Sequence, residues 1–231
     1  RRSEELNQLI PLPLGERKNT MTLLLLAVLL FQQEDPKQLQ AVFDTSAGTF
    51  IMEFYPGQAP NHVRKFIELA RQGFYNGTTF HSMVPHGIVQ AGDPETKNPQ
   101  ARAKYGTGGF NLGLKPEFSD VPFKQGTIVA TLLPGLPNSA GSQFFICVTD
   151  QLQFSGQFTA FGHVVEGIDV VDKISTTPAD DKQIARDRIE LKSVTIRPIP
   201  LPPPTPFTQE TIDELKQYRV VMATSKGDIV M

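Results

Sequence analysis

Apolar and polar residues alternate along much of the chain with a period of two, the pattern typical of β-strands. Residues 41–45 and 49–55 alternate on either side of Ser46-Ala47-Gly48, which indicates a hairpin. The same pattern predicts further strands at residues 78–84, 88–90, 127–132, 143–149, 158–165 and 188–197.

Two segments have a helical period instead. Val63, Phe66, Ile67 and Ala70 recur at spacings of three and four residues, which places them on one face of a helix. A second amphipathic helix is predicted at residues 168–174. Many strands with only two helices predict a mainly β fold, with a closed or nearly closed antiparallel sheet whose ends the helices cover.

The segment 137–148 combines a tight loop with a strand. Its first half is rich in Pro, Asn, Ser and Gly, and its second half is aromatic and β-branched. In a strand, Gln143 and Phe145 share one face and Phe144 and Ile146 the other. An amide beside an aromatic ring suits a pocket for a peptide segment. The alternative is a buried strand with one hydrogen-bonded glutamine.

Composition excludes several kinds of function. The chain has 231 residues and a net charge of -2, which gives no sign of nucleic-acid binding or of a polybasic membrane surface. Cys147 is the only cysteine in the sequence, so we expect a small buried side chain and neither a disulfide within the chain nor a thiol-ligated metal. The four histidines lack metal-ligand spacing. No metal is therefore predicted.

Residues 1–39 form an N-terminal extension before the globular pattern begins. Within it, residues 21–33 hold a short apolar run after positive residues, which resembles a secretory signal segment and predicts a periplasmic or otherwise exported protein. The run is too short to span a bilayer. The alternatives are an amphipathic or core-docking helix and a cytoplasmic protein. If Met21 is the true start, residues 1–20 are no part of the native protein.

The C-terminal part predicts a linker and a second small unit. Residues 40–198 form one domain, and residues 199–207 are a Pro-rich linker. Residues 208–231 predict a helix followed by a hairpin, and residues 221–231 match residues 42–52 at five of eleven positions. We interpret the tail as the first hairpin of a second, truncated repeat, which could exchange between chains through its strand edges. The alternative is an ordinary strand–turn–strand hairpin.

Several motifs, taken in chain order, resemble the cyclophilin family over residues 40–198. The motifs are Phe80-His81, Pro85, Gln90-Ala91-Gly92-Asp93, Gly106-Thr107-Gly108-Gly109, Pro137-Asn138-Ser139-Ala140-Gly141-Ser142-Gln143-Phe144-Phe145-Ile146 and Phe161-Gly162. The resemblance implies an eight-stranded closed antiparallel β-barrel capped by two helices. It also implies a peptidyl-prolyl cis–trans isomerase that assists protein folding, acts on proline-containing polypeptides and needs no metal or cofactor.

The resemblance also assigns roles to individual residues. Phe145 is implied to form the floor of a proline pocket, and Gln90 and Gln143 to hold the substrate backbone. The remaining substrate-binding residues that it implies are Ile88, Gly108, Phe154 and Phe158. Twisting a prolyl amide costs about 18–20 kcal/mol because resonance is lost. A donor aimed at the prolyl nitrogen of the twisted state therefore lowers the barrier.

The sequence departs from the family at that donor. Ser82 stands in place of the family arginine, and a neutral hydroxyl is too short to replace a guanidinium. Further departures are Gly87 in place of a pocket aromatic, Phe158 in place of a histidine, Gln153 in place of a tryptophan, a longer segment at residues 131–136 and an insertion at residues 94–105.

Two classes of function therefore stay open at this stage. One is an isomerase of reduced activity, in which Arg102 or Lys104 of the insertion supplies the donor. The other is a chaperone or scaffold module that binds proline-containing segments without catalysis.

Overall fold

The computed structural model describes residues 34–202, residues 214 and 216, and the strand residues 221–224 and 227–230. The predicted signal segment at residues 21–33 and most of the predicted helix after the linker lie outside these residues. A boundary between two compact units falls after Pro198. Among the described residues, no helix is both long enough and apolar enough to cross a membrane.

Eight antiparallel strands close into a barrel, as predicted. In spatial order they are β1, β2, β7, β5, β6, β4, β3 and β8. Leu39 pairs with Pro198, so the first and last strands join and the barrel leaves no open edge. The strands are β1 (Leu39–Thr45), β2 (Gly48–Phe54), β3 (Thr78–Val84), β4 (Ile88–Ala91), β5 (Thr127–Ala130), β6 (Phe144–Cys147), β7 (Ala160–Glu166) and β8 (Ile184–Pro198).

Two α-helices accompany the barrel at the predicted places, α1 (Pro60–Arg71) and α2 (Ile168–Ser175). The apolar stripe of α1 is buried against the barrel, as its spacing predicts. Helix α1 ends where Gly73 takes a φ of 67°, a left-handed conformation that glycine adopts without a steric cost.

Glu117 caps the start of α1 from a distant loop. The N-cap residue is Ala59, whose side chain cannot accept a hydrogen bond. The Glu117 carboxylate instead accepts the backbone N–H groups of Asn61 and His62, both at 3.0 Å. His62 Nδ1 also lies 2.6 Å from Glu117 Oε2. A carboxylate at a helix N-terminus is stabilising, and nothing in the local sequence of α1 indicates it.

Strand β6 separates two apolar clusters, as its alternation predicts. Phe144 and Ile146 lie in the barrel core, whereas Phe145 and Cys147 belong to a second cluster on the other face of the sheet. Cys147 is fully buried, as expected. Burial, followed by the charge of Asp150, raises the pKa of its thiol to about 12. The side chain is therefore an unreactive packing group at neutral pH.

The insertion, predicted as loop, contains two 3-10 segments, Pro94–Lys97 and Pro99–Lys104. The side chains of Asp93 and Asn98 cap them by accepting the N–H groups of the residues two positions further on, at 2.8 and 3.0 Å. Each cap is followed by a proline at the first position, where the missing N–H costs nothing. The Asp-Pro and Asn-Pro pairs in the sequence therefore order this part of the loop.

A separate hairpin is present in the tail, formed by β9 (Val221–Thr224) and β10 (Gly227–Val230). Thr224 pairs with Gly227, as Thr45 pairs with Gly48 in the first hairpin of the barrel. The matching residues of the two hairpins thus have the same register. The truncated second repeat itself stays a prediction.

Candidate functional site

A row of directly opposed residues crosses β3, β4, β6 and β5. Ser82 pairs with Gln90, Gln90 with Phe145, and Phe145 with Val129. Opposed residues of antiparallel strands project from the same face, and neighbouring strands lie about 4.8 Å apart. The predicted site residues on these strands are therefore aligned on the face of the sheet opposite the core.

The two predicted glutamines are bonded to each other. Gln90 Nε2 donates to Gln143 Oε1 at 2.7 Å, and Gln143 Nε2 donates to the carbonyl of Gly108 at 2.6 Å. Gln143 is only 1% exposed, whereas Gln90 is half-buried. The buried amide thus fixes the orientation of the more exposed one, whose carbonyl oxygen has no partner among the described residues. That oxygen is suited to accept a hydrogen bond from a peptide N–H.

Close backbone approaches explain the glycine-rich motifs around these glutamines. Ser142 joins the two loops, because its N–H donates to the carbonyl of Gly109 at 2.8 Å and its hydroxyl to that of Gly92 at 2.7 Å. A Cβ atom at Gly108 would clash with the Asp93 carboxylate, and one at Gly141 would clash with the Gly109 carbonyl. Only glycine fits where the loops meet.

The predicted apolar residues surround Phe145. Phe158 meets the Phe145 ring edge-on at 5.8 Å between centroids, and Phe154 meets Phe158 in the same way at 6.0 Å. Ile88 packs against the same cluster. These partly exposed side chains and the nearly buried Phe145 ring form an apolar wall and floor beside the glutamine pair.

Sequence reasoning missed other members of this cluster, namely Val129, Phe123, Tyr55 and Val121. Burial raises the pKa of the Tyr55 hydroxyl, which stays neutral over the physiological range. Val129 lies directly opposite Phe145. The strand pattern places Val129 on β5 but does not give the register between β5 and β6. That register is needed to predict that Val129 lies opposite Phe145.

Ser82 reaches this face through a β-bulge. Phe80 packs in the barrel core, and a regular strand would point Ser82 the same way. The pairing with β8 shifts between these residues, from Ile189 opposite Phe80 to Ile184 opposite Ser82. A bulge re-aims the side chains beyond it, so Ser82 projects beside Gln90.

Arg102 and the apolar cluster lie on opposite sides of Ser82. Its Nη2 donates to Asp180 Oδ2 and to the carbonyl of Ile184, both at 3.1 Å. The N–H of Ile184, and then Arg102, hold the pKa of Asp180 below its usual value. Three strand spacings, roughly 14 Å along the sheet, separate Ile184 on β8 from Phe145 on β6. The structure therefore brings together the other predicted residues without the Arg102 guanidinium, whose donor role stays a prediction.

Comparison with known proteins identifies the family. The family described as "Cyclophilin type peptidyl-prolyl cis-trans isomerase/CLD" matches residues 41–196, which is most of the barrel unit. The chain belongs to the cyclophilin family. The sequence-based assignment of the family and of the closed β-barrel is therefore confirmed.

Curated relatives carry isomerase names. The chain is 43% identical over 131 residues to a probable peptidyl-prolyl cis-trans isomerase of Brucella abortus, a match that covers 55% of this chain and 66% of the relative. It is 33% identical over 154 residues to peptidyl-prolyl cis-trans isomerase-like 1 of Aspergillus niger, covering 64% and 92%. The match thus spans about two thirds of the Brucella relative's length.

A solved cyclophilin has the same fold. The crystal structure of a Cryptosporidium parvum cyclophilin type peptidyl-prolyl cis-trans isomerase, determined in the presence of the dipeptide Ala-Pro, gives a TM-score of 0.61 at 25% identity. The superposition covers 68% of this chain and 98% of that chain. The barrel unit therefore corresponds to an entire cyclophilin domain.

Proposed function

We propose that this cyclophilin domain is a peptidyl-prolyl cis–trans isomerase that acts on proline-containing segments of polypeptides. The observation that carries the proposal is the row in which Gln90 lies directly between Ser82 and Phe145. A proline ring on Phe145 would place its preceding amide over Gln90, where a fixed hydrogen-bonding group can hold the peptide backbone. The names of the relatives support the same reaction.

Catalysis here rests on preferring the twisted amide to both planar forms. An apolar pocket grips the ring, and a side-chain amide holds the neighbouring peptide group while the bond rotates. The serine hydroxyl at position 82 is neutral and too short to replace a guanidinium as the donor to the prolyl nitrogen. Since a donor aimed at the developing charge contributes about 10²–10³ in rate, we expect a slow isomerase.

Cis-to-trans exchange of a short X-Pro peptide, measured by NMR with catalytic amounts of the full chain, tests this proposal. Exchange above the uncatalysed rate, lost in Phe145→Leu and retained in Phe118→Ala, is the expected result. Phe118 is a matched control because it is 50% exposed and lies outside the apolar cluster. Thermal denaturation of each variant verifies that it is folded.

A second candidate, a module that binds proline segments without catalysis, is favoured by Ser82 alone. It predicts chemical-shift changes of the peptide on binding but no added exchange. The NMR experiment separates the two functions, because binding and exchange give different signals in the same spectra.

Pairing of the tail with another chain is a further proposal. It is supported by the identical register of the tail hairpin and the first barrel hairpin. In the barrel, both strands of this hairpin pair with a further strand, and a hairpin of the same kind in the tail can do so with another chain. Light scattering after size-exclusion chromatography is expected to show a concentration-dependent dimer that disappears when residues 207–231 are removed. A monomer at all concentrations would contradict it.

Export from the cytoplasm is a separate proposal that rests on residues 21–33 alone. N-terminal sequencing of the mature protein from its native cell tests it, because cleavage shortly after this segment is expected for an exported protein. An intact segment in the cytoplasmic fraction would contradict it.

A further inference from the structure

The bulge in β8 opens a cavity of about 180 Å³ behind Ser82. From the pair Phe80–Ile189 to the pair Ser82–Ile184, β3 advances by two residues and β8 by five, so β8 has extra residues at this point. The extra residues of β8, 185–188, line the cavity together with Pro99, Arg102 and Tyr105 of the insertion. The β3–β8 register and the insertion therefore build the cavity together.

Two buried polar side chains line this cavity without a regular hydrogen-bond partner. Thr79 is 2% exposed and His81 is 1% exposed. The Thr79 hydroxyl has no hydrogen-bond partner among the described residues, and the two ring nitrogens of His81 have none with regular geometry, apart from a weak contact with the Thr79 backbone. Buried polar groups nearly always have a hydrogen-bond partner, so two side chains without a regular one, Thr79 and His81, lining one cavity indicate a polar ligand.

Three arginines, Arg102, Arg186 and Arg188, line the opening of the cavity together with one acid, Asp187. Arg102 forms an ion pair with Asp180 at 3.1 Å, and Arg188 Nε lies 3.9 Å from Glu190 Oε2, so of the three arginines only Arg186 has no ion pair among the described residues. Arg188 is held in place by the carbonyls of Thr96 and Gly77, both at 2.6 Å.

The other two arginines retain unused donors. Arg186 donates from Nε to the carbonyl of Ala179 at 3.1 Å, and its two terminal nitrogens have no partner among the described residues. Arg102 uses only Nη2. Because a guanidinium has five N–H donors, both side chains can still bind an acceptor.

We propose that this cavity binds a small oxyanion, a phosphate or carboxylate group. The Thr79 hydroxyl and the His81 ring N–H would donate from the floor, and the Arg102 and Arg186 guanidiniums from the opening. Charge-assisted bonds from arginine to such oxygens are the strong class of hydrogen bond, and the Arg186 charge, which has no ion pair among the described residues, disfavours a cation.

The state of His81 fits this role. Burial, only partly opposed by the charge of Asp93 and by a contact with the Thr79 backbone, lowers the pKa of His81, so the ring is neutral near pH 7 and carries one N–H. The proposal is independent of the isomerase activity, because none of the four anion-binding side chains belongs to the row that contains Phe145 and Gln90.

Titration of the full chain with sodium phosphate at pH 7 and constant ionic strength tests the site. Amide NMR shifts of Thr79, His81 and Arg186 are expected to change together and to saturate. At a phosphate concentration 100 times the Kd, the folded-to-unfolded ratio is expected to rise about 100-fold. A parallel titration with acetate decides the chemical class of the anion, since saturation by only one of the two assigns the site to it.

Matched variants locate the binding. Arg186→Gln and Thr79→Val are each expected to weaken phosphate binding at least tenfold, and Thr79→Val keeps the shape of a buried side chain. Arg64→Gln removes the same charge from an exposed position of α1 outside the cavity and is expected to bind as the native chain does. The proposal is overturned if neither anion saturates, or if Arg186→Gln binds as tightly as Arg64→Gln.

Discussion

Ser82 and Gln90 lie directly opposite each other on β3 and β4. Any side chain at position 82 therefore projects beside the amide that we propose to hold the substrate, one strand further from the proline pocket than Gln90. Two strand spacings, roughly 10 Å, separate Ser82 from Phe145. A hydroxyl cannot cross much of that distance, whereas a guanidinium on three methylenes can. The position is right for a donor, and the residue is too short.

Ser82→Arg is expected to raise the catalysed exchange rate of an X-Pro peptide at least tenfold, because it restores a charged donor beside the bound amide. NMR exchange spectroscopy at equal concentrations of native and variant chain measures the ratio. Ser82→Met, which is long but uncharged, is the control and is expected to leave the rate near that of the native chain. An equal gain in both variants would mean that bulk, and not charge, limits the site.

Gln143 acts through Gln90, so their contributions are expected to be coupled. Gln143→Leu leaves Gln90 Nε2 and the Gly108 carbonyl without their partner, and we expect a loss of about 1–3 kcal/mol in the free energy of unfolding. Urea denaturation of both single variants and of Gln90→Leu/Gln143→Leu gives the coupling, which we expect to be about 1 kcal/mol. Strict additivity would contradict the bonded pair.

Arg102→Ala tests whether Arg102 is a donor to the substrate or a residue that holds the insertion in place. Because its guanidinium contacts Asp180 and Ile184, we expect isomerase activity to stay within about twofold of the native value. Asp180→Asn, which weakens the same contact from the other side, is expected to behave alike. Loss of most activity in Arg102→Ala, with a gain in Asp180→Asn, would instead assign the donor role to Arg102.

Deleting residues 207–231 is expected to shift the barrel's melting temperature by less than about 2 °C. The barrel closes through the β1–β8 pair, which ends at Pro198, so the deletion removes none of its strands. A shift of 2–4 °C corresponds to about 1 kcal/mol in a chain of this size. A larger drop, measured by calorimetry, would mean that the tail is part of the core and would contradict the truncated-repeat interpretation.

The elements of the barrel could be predicted because their signals are local. The stripe of α1, the Ser-Ala-Gly hairpin and the alternation of β6 each depend on residues close in sequence. Strand ends were less accurate. The predicted strand at 127–132 ends at Ala130, although the N–H of Thr131 still donates to the carbonyl of Gln143 in the register of the β5–β6 ladder.

The detailed geometry of the site could not be predicted, because it depends on register between distant strands. Alternation from Phe80 would point Ser82 into the core, and only the register shift at the bulge between β3 and β8 corrects this. The same bulge puts Ile184 into β8, whose start was predicted at residue 188. Likewise, the partner of Arg102 is Asp180, 78 residues away, and no spacing rule connects them.

Glu117 gives the barrel an acid-sensitive contact at α1. Burial alone would raise the pKa of its carboxyl, but hydrogen bonds from the His62 ring and from the N–H groups of Asn61 and His62 outweigh it and hold the pKa below its usual value. A depressed folded-state pKa stabilises the fold fully above the unfolded value, about 4.3 for glutamate. This stabilisation is lost as the pH falls through the folded-state pKa.

Glu117→Gln is therefore expected to lower the free energy of unfolding by about 2 kcal/mol at pH 7, because a neutral amide oxygen accepts weaker hydrogen bonds than the charged carboxylate. The difference from the native chain is expected to shrink as the pH falls through the depressed folded-state pKa of Glu117, where the native carboxylate becomes protonated as well. Urea denaturation at pH 7, 5 and 3 measures it. Glu166→Gln, at an exposed carboxylate without a partner among the described residues, is the control and is expected to change stability little at any pH. A Glu117→Gln deficit that persists unchanged at pH 3 would show that packing, and not the charge at the helix N-terminus, is responsible.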